Sequence, residues 1–234
     1  MNVYSFSRLS LYATCPYRFY LKYVLGRQEP VTKPLALGKA VHKGVELRIK
    51  GASEEEAVMA AIIESDFHSE VDREEMERLI RVAPIVKGET EVHFELPLAH
   101  GSNLKVQGYI DLLSEGAFFD WKTNWRIYGV NDTMQLTLYA WAIMQTTGRD
   151  LVRGTLYFLR YKKPLSYLYT LQETEKARQW AYKLALEISE KVSVVELFPD
   201  MSIQAFPATP GSHCKHCPFA VECYRQFKKG EAIH

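Results

Sequence analysis

Gly108-Tyr109-Ile110-Asp111, followed after a short gap by Phe119-Asp120-Trp121-Lys122, is the stretch that decides how this chain is read. Apolar runs surround both pieces and Glu115-Gly116 lies between them, the pattern of two strands joined by a tight turn. Side chains alternate faces along a strand, so Asp120 and Lys122 point the same way. Hairpin pairing brings Asp111 alongside them. Two carboxylates and an ammonium then converge at the end of an apolar sheet. Carboxylates suit Mg²⁺ or Mn²⁺, hard cations that prefer oxygen ligands. A neighbouring lysine orients or deprotonates a water, or neutralises charge on a phosphate. The same residues also fit a plainer account, because Asp and Lys two apart often form a surface pair worth little. Taken alone they leave both accounts open.

The flanking chain extends this frame. Ser5-Phe6-Ser7 opens a helix with Ser7 as its expected N-cap, and Pro16 breaks or restarts it after Cys15. Residues 17–23, Tyr-Arg-Phe-Tyr-Leu-Lys-Tyr, interleave aromatic and basic side chains. Rings stack on bases and cations meet phosphates, so Arg18 and Lys22 are candidate DNA contacts, although core packing accounts for most of these aromatics. Pro30 to Pro34 reads as a loop. Residues 36–50 form a helix with Leu37, Val41 and Val45 on one stripe and His42 and Glu46 a turn apart on a neighbouring face. Ser53-Glu54-Glu55-Glu56 caps a helix with an acidic first turn, and charge-rich helical sequence runs on to about residue 83. We read 51–88 as a solvated helical insertion beside the core. From Thr90 the period changes to two, giving three sequential antiparallel strands. Glu91 or Glu95 on the first of these could touch the site, but a solvent-facing glutamate is expected for both. Asn131-Asp132-Thr133 caps the next helix, where Met134, Leu138 and Trp141 form an apolar stripe and Gln135 and Tyr139 share a face. Strands at 154–161 and 167–169 and a helix over 173–195 complete a mixed α+β core.

The cysteines are Cys15, Cys214, Cys217 and Cys223, with no others. The last three are spaced C-x₂-C-x₅-C, and a C-x₂-C turn aims two thiolates at one centre. Four cysteines bind zinc or an iron–sulfur cluster, and spacing does not decide between them. His213 and His216 also allow a zinc site with one histidine, leaving Cys15 as a free buried thiol.

The chain has 234 residues, 47% hydrophobic and 24% charged, enough for one sizeable core. A formal net charge of +1 gives no global basic signal, so a nucleic-acid partner needs a local basic patch. No apolar run has the length of a membrane span, and the N-terminus does not read as a signal peptide. A cytoplasmic location is therefore expected, where structural disulfides are rare.

Gly-x-x-Asp, a short gap and Asp-x-Lys together resemble the core of the PD-(D/E)XK nucleases, in the RecB-like branch. That branch also carries an upstream helical histidine, here His42 in Leu37-Gly38-Lys39-Ala40-Val41-His42, and Gln-x-x-x-Tyr on the following helix, here Gln135 and Tyr139. A distant N-terminal cysteine with C-x₂-C-x₅-C is similar to the iron–sulfur subgroup, which includes AddB-type nuclease domains and CRISPR-associated iron–sulfur exonucleases. The resemblance implies a restriction-endonuclease-like fold over 1–234: a mixed sheet flanked by helices, with residues 1–30 and 200–234 joined by a 4Fe–4S cluster on Cys15, Cys214, Cys217 and Cys223. It implies a DNA nuclease, expected to be an exonuclease on single strands or DNA ends. Asp111 and Asp120 would hold Mg²⁺ or Mn²⁺ with His42 and the Trp121 carbonyl. Lys122 would position and activate water, and Gln135 and Tyr139 would steady the site or the DNA strand. Implied partners are DNA and a helicase, recombination or CRISPR adaptation protein. The alternatives are a DNA-end-binding or assembly subunit with little catalysis, and a zinc-stapled interaction domain.

Overall fold

The computed structural model describes residues 1–231, with side chains as far as Phe227. The last three residues of the expected 200–234 segment lie outside the described residues. The chain divides into two compact units, one made of Val31–Leu96 and Val106–Trp180, the other of Met1–Pro30, Pro97–Lys105 and the chain from Ala181 onward.

The first of these units carries a sheet of β2 (Glu89–Pro97), β3 (Lys105–Ser114), β4 (Ala117–Lys122), β5 (Leu151–Phe158) and β6 (Lys163–Thr170). Its order is β3-β4-β5-β6, with β2 paired to β3. The β3–β4 pair is antiparallel, and Ser114 opposite Ala117 leaves only Glu115-Gly116 as the turn. Gly116 has φ 75°, a left-handed conformation that glycine adopts without a Cβ clash. β4 and β5 are parallel and β5 and β6 antiparallel, so the sheet is mixed and helices flank it. A parallel neighbour needs a crossover, supplied by the helix Gln135–Thr147.

In chain order the helices of this unit are Lys33–Ile49, Glu54–Glu64, Arg73–Val82 and Gln135–Thr147. The first starts earlier than the sequence suggests: Pro34 lies in its opening turn rather than in a loop, because that turn has no N–H partner to lose. Nor are the helices of 51–88 a solvated appendage. Ala57, Val58, Ala61, Met76, Leu79 and Ile80 pack with Val41, Val45, Leu112 and Trp121 in one apolar cluster. Their charges lie outward while small and aliphatic residues face in, and a Cβ on Gly44 would meet Ile80 at 2.4 Å. The helix Gln135–Thr147 is buried along its whole middle, Leu136 to Met144, rather than on one stripe. Its N-cap is Met134, without a side-chain cap bond; Asp132 instead accepts from the Gly129 N–H at 2.7 Å.

In the other unit, β1 (Val3–Ser5) precedes helices Phe6–Thr14 and Pro16–Phe19. The cap of Phe6–Thr14 is Ser5, which accepts from the Arg8 N–H, and not Ser7. The helix stops at Thr14, Cys15 is extended, and Pro16 opens the next helix. Leu9, Phe19, Leu21, Phe206 and Ile188 are buried here. Tyr12 donates to Glu187 at 2.6 Å from the long helix Leu171–Leu197. The helices Ser202–Ala205 and Ala220–Glu231 follow. Among the described residues no helix is long and apolar enough to cross a membrane.

Candidate active site

The β3–β4 hairpin sets the site. Leu112 pairs with Phe119, so the next position along each strand carries Asp111 and Asp120. Asp111 Oδ2 accepts from the Trp121 backbone N–H at 2.7 Å. Its Oδ1 lies 3.3 Å from His42 Nδ1. His42 arrives from the helix Lys33–Ile49, and its Nε2 is 2.8 Å from the Trp121 carbonyl oxygen. Both ring nitrogens thus face acceptors, which suits an imidazolium with two donors. Burial acts to lower the His42 pKa, but Asp111, Asp120 and the Trp121 carbonyl outweigh it and hold it at about 9.

This bears on stability against pH. A histidine whose pKa rises from 6.5 to about 9 on folding stabilises fully below pH 6.5, and that stability is lost as pH rises through 9. Chelated wild-type protein should therefore exceed His42→Gln in stability by on the order of 2 kcal/mol near pH 6, with the gap closing by about pH 10. Urea unfolding of both across that range measures it. A gap independent of pH would mean that His42 is neutral in the fold.

A third residue joins this pair. Glu91, His42 and Asp111 each offer a ligand atom within 4.8 Å of the others. Glu91 was expected to face solvent beside Glu95; Glu95 is exposed, whereas Glu91 is half-buried at the site. The cause is backbone. Glu91 has φ 51° inside β2, a left-handed residue of the kind that re-aims a side chain at a bulge. Burial and the Asp111 carboxylate push its pKa up. The trio borders a cavity of about 640 Å³ that is also lined by Gly38, Lys39 and Glu46. Two carboxylates and an imidazole form a mixed oxygen–nitrogen donor set of the kind that holds Mn²⁺ or Mg²⁺.

On β4, beside this group, Asp120 Oδ2 meets Lys122 Nζ at 2.5 Å. Lys122 also donates to Gln135 Oε1 at 3.0 Å, and Gln135 Nε2 lies 3.5 Å from the Tyr139 hydroxyl. Burial pushes the Asp120 carboxyl up, with Lys122 opposing. For Lys122 burial acts downward, but Asp120 and Tyr128 outweigh it and hold the ammonium above its ordinary value. Lys122 is thus a charged donor here, not a free base. Tyr139 is buried against Phe94 at 5.5 Å between ring centroids, and burial lifts its hydroxyl to about 12. A Cβ on Gly108 would meet the Phe94 ring at 2.8 Å and Tyr139 at 3.1 Å, so this motif position tolerates only glycine.

The expected residues thus fall into two sets on the hairpin: His42, Asp111 and the Trp121 carbonyl, and Asp120, Lys122, Gln135 and Tyr139. Tyr128 was not singled out by the sequence; Glu91 was named there as able to reach the site but was expected to face solvent. In the other unit, Arg18 and Lys22 both point at Glu29, at 2.7 and 2.6 Å. Cys15, Cys214, Cys217 and Cys223 form no disulfide and line one cavity of about 570 Å³ with Arg18 and His213. Cys15 is buried and Cys214 exposed. Burial and the other three cysteines raise the Cys223 thiol.

A family model described as the PD-(D/E)XK nuclease superfamily matches residues 3–224. No curated protein matches the chain. Among solved structures, "Crystal structure of SSO0001" is similar over 95% of this chain and 86% of that chain, at 17% identity and a TM-score of 0.47.

Proposed function

Because the chain belongs to the PD-(D/E)XK nuclease superfamily, we propose that it is a divalent-metal-dependent deoxyribonuclease, an exonuclease acting on single strands or DNA ends. The observation that carries this is the meeting of His42, Glu91 and Asp111 within 4.8 Å, next to the buried Asp120–Lys122 pair. These residues fit a divalent ion, with Asp120 as a further carboxylate beside them. Such an ion supplies charge stabilisation at a scissile phosphate and a water of lowered pKa. The Trp121 N–H fixes one Asp111 oxygen and leaves the other toward His42. His42 gives up a proton when it ligates, so binding strengthens as pH rises. Lys122, steered by Gln135, presents an ammonium to a water or a phosphate oxygen. A subunit that only held DNA ends would have no use for a buried lysine–carboxylate pair beside a ligand trio.

We assign the four cysteines to one 4Fe–4S cluster with a structural role, since hydrolysis moves no electrons. What supports this reading is the likeness of Cys15 with C-x₂-C-x₅-C to the iron–sulfur subgroup, together with the four cysteines lining one cavity. A cytoplasmic setting and a helicase, recombination or CRISPR adaptation partner are parts of the same reading.

The test is cleavage of end-labelled single- and double-stranded DNA by anaerobically purified protein with Mn²⁺, Mg²⁺ or chelator. Shortening from ends that needs metal is expected. In parallel, Glu91→Gln should weaken Mn²⁺ binding by roughly tenfold or more, read by titration calorimetry. DNA left intact under every condition would remove the nuclease reading.

A further inference from the structure

Trp125 lies on the loop that leaves β4, three residues after Lys122, with 70% of its surface exposed. A large ring left in water usually moves. This one is held. The Arg160 guanidinium lies over the indole, 3.8 Å from its centroid. Arg160 is itself fixed: it donates to the Thr123 carbonyl at 2.5 Å and pairs with Glu75. Tyr161 donates to the Trp125 carbonyl, and Asn124 closes the turn by donating to the Arg126 carbonyl at 2.8 Å. Backbone and ring are thus pinned from beneath while the ring stays open to solvent.

The loop starts beside the metal-ligand cavity. Thr123 Oγ1 comes within 3.8 Å of where a Cβ on Gly38 would sit, and Gly38 lines that cavity. Trp125 is two residues further on, a reach of roughly 7 Å at full extension. Beside it Arg126 is exposed and makes no ion pair among the described residues. A fixed open ring with a free cation next to it suits one kind of ligand: a base that stacks on the ring and a phosphate that meets the cation. A base in the interior of a duplex has both faces covered, so away from duplex ends the ring accepts an unpaired one.

We propose that Trp125 is a base-stacking platform, with Arg126 beside it for the backbone, that seats an unpaired nucleotide of a DNA strand next to the hydrolytic centre. This rests on the DNA nuclease reading and adds a binding residue and a requirement for unpaired bases. Indole fluorescence reports on it directly, since Trp121 and Trp141 are 2% and 4% exposed and Trp180 is only half-exposed.

The experiment titrates chelated full-length protein, where nothing is cut, with a thymine oligonucleotide and with a base-free sugar–phosphate chain of equal length. Wild type should bind the base-bearing strand with quenched emission. Trp125→Ala should bind it roughly tenfold or more weakly, at about its affinity for the base-free chain. Trp125→Phe should recover part of the loss, which a merely structural role would not give. If Trp125→Ala binds thymine strands like wild type, or wild type binds both probes equally, the platform is wrong and the nuclease reading stands. If wild type binds neither probe, the platform is wrong, and cleavage with metal decides the nuclease reading separately.

Discussion

Lys122→Ala should lose metal-dependent cleavage by at least about 10²-fold and also lose stability, by about 3–5 kcal/mol. From sequence alone one expects the first effect without the second, because an exposed Asp–Lys pair is worth little. Here the pair is enclosed: the side chains are 16% and 4% exposed. Removing the ammonium leaves the Asp120 carboxylate buried without its partner, so it either stays charged at high cost or takes up a proton. Asp120→Asn in the same chain as Lys122→Met removes both charges and should restore most of the stability, with cleavage still absent. Urea midpoints for the single and double variants, beside cleavage rates, separate the two effects. A Lys122→Ala protein as stable and as active as wild type would sink the site.

Cys15→Ala should give protein with little iron that melts well below wild type. Cys15 and Cys214 lie near opposite ends of the chain, and a shared cluster closes a loop of roughly 200 residues between them. By analogy with a disulfide, such closure contributes on the order of 5 kcal/mol as an upper guide, comparable with the net stability of a typical domain. Truncation of buried Cys15 also removes some packing, so a second variant is needed. Cys214 is exposed, and without a bound group its truncation should change almost nothing. Early melting of Cys214→Ala, matching Cys15→Ala, therefore isolates the shared ligand. Full iron content and unchanged melting in Cys15→Ala would exclude it as a ligand; colourless protein with one zinc per chain would favour zinc.

The hairpin half of the site was legible because two simple rules place it. Alternation puts Asp120 and Lys122 on one face, and a two-residue turn at Glu115-Gly116 brings Asp111 opposite. His42 and the Gln135–Tyr139 pair were legible only through their likeness to a known order of motifs. Glu91 was legible only as one of two glutamates able to reach the site: alternation favoured solvent for both, and a left-handed residue within β2 turned it in. The helices of 51–88 were misjudged because their glutamates and arginines dominate the sequence, while the inward side is built from residues as slight as Ala57 and Ala61. Long-range ion pairs such as those of Arg18 and Lys22 with Glu29 leave no periodic trace.

Under the proposed DNA nuclease function, those two ion pairs would shape how salt acts on binding. A protein cation that meets a phosphate frees condensed small ions from the DNA, and their release gives binding its steep dependence on ionic strength. Arg18 and Lys22 already hold Glu29 at 2.7 and 2.6 Å. A strand docking on them must expel a carboxylate that remains nearby and repels it, so the net charge gained there is about one rather than two. With DNA bound there, Arg18 and Lys22 would then add less to the slope of log affinity against log salt than two free cations, and Glu29→Gln should steepen it.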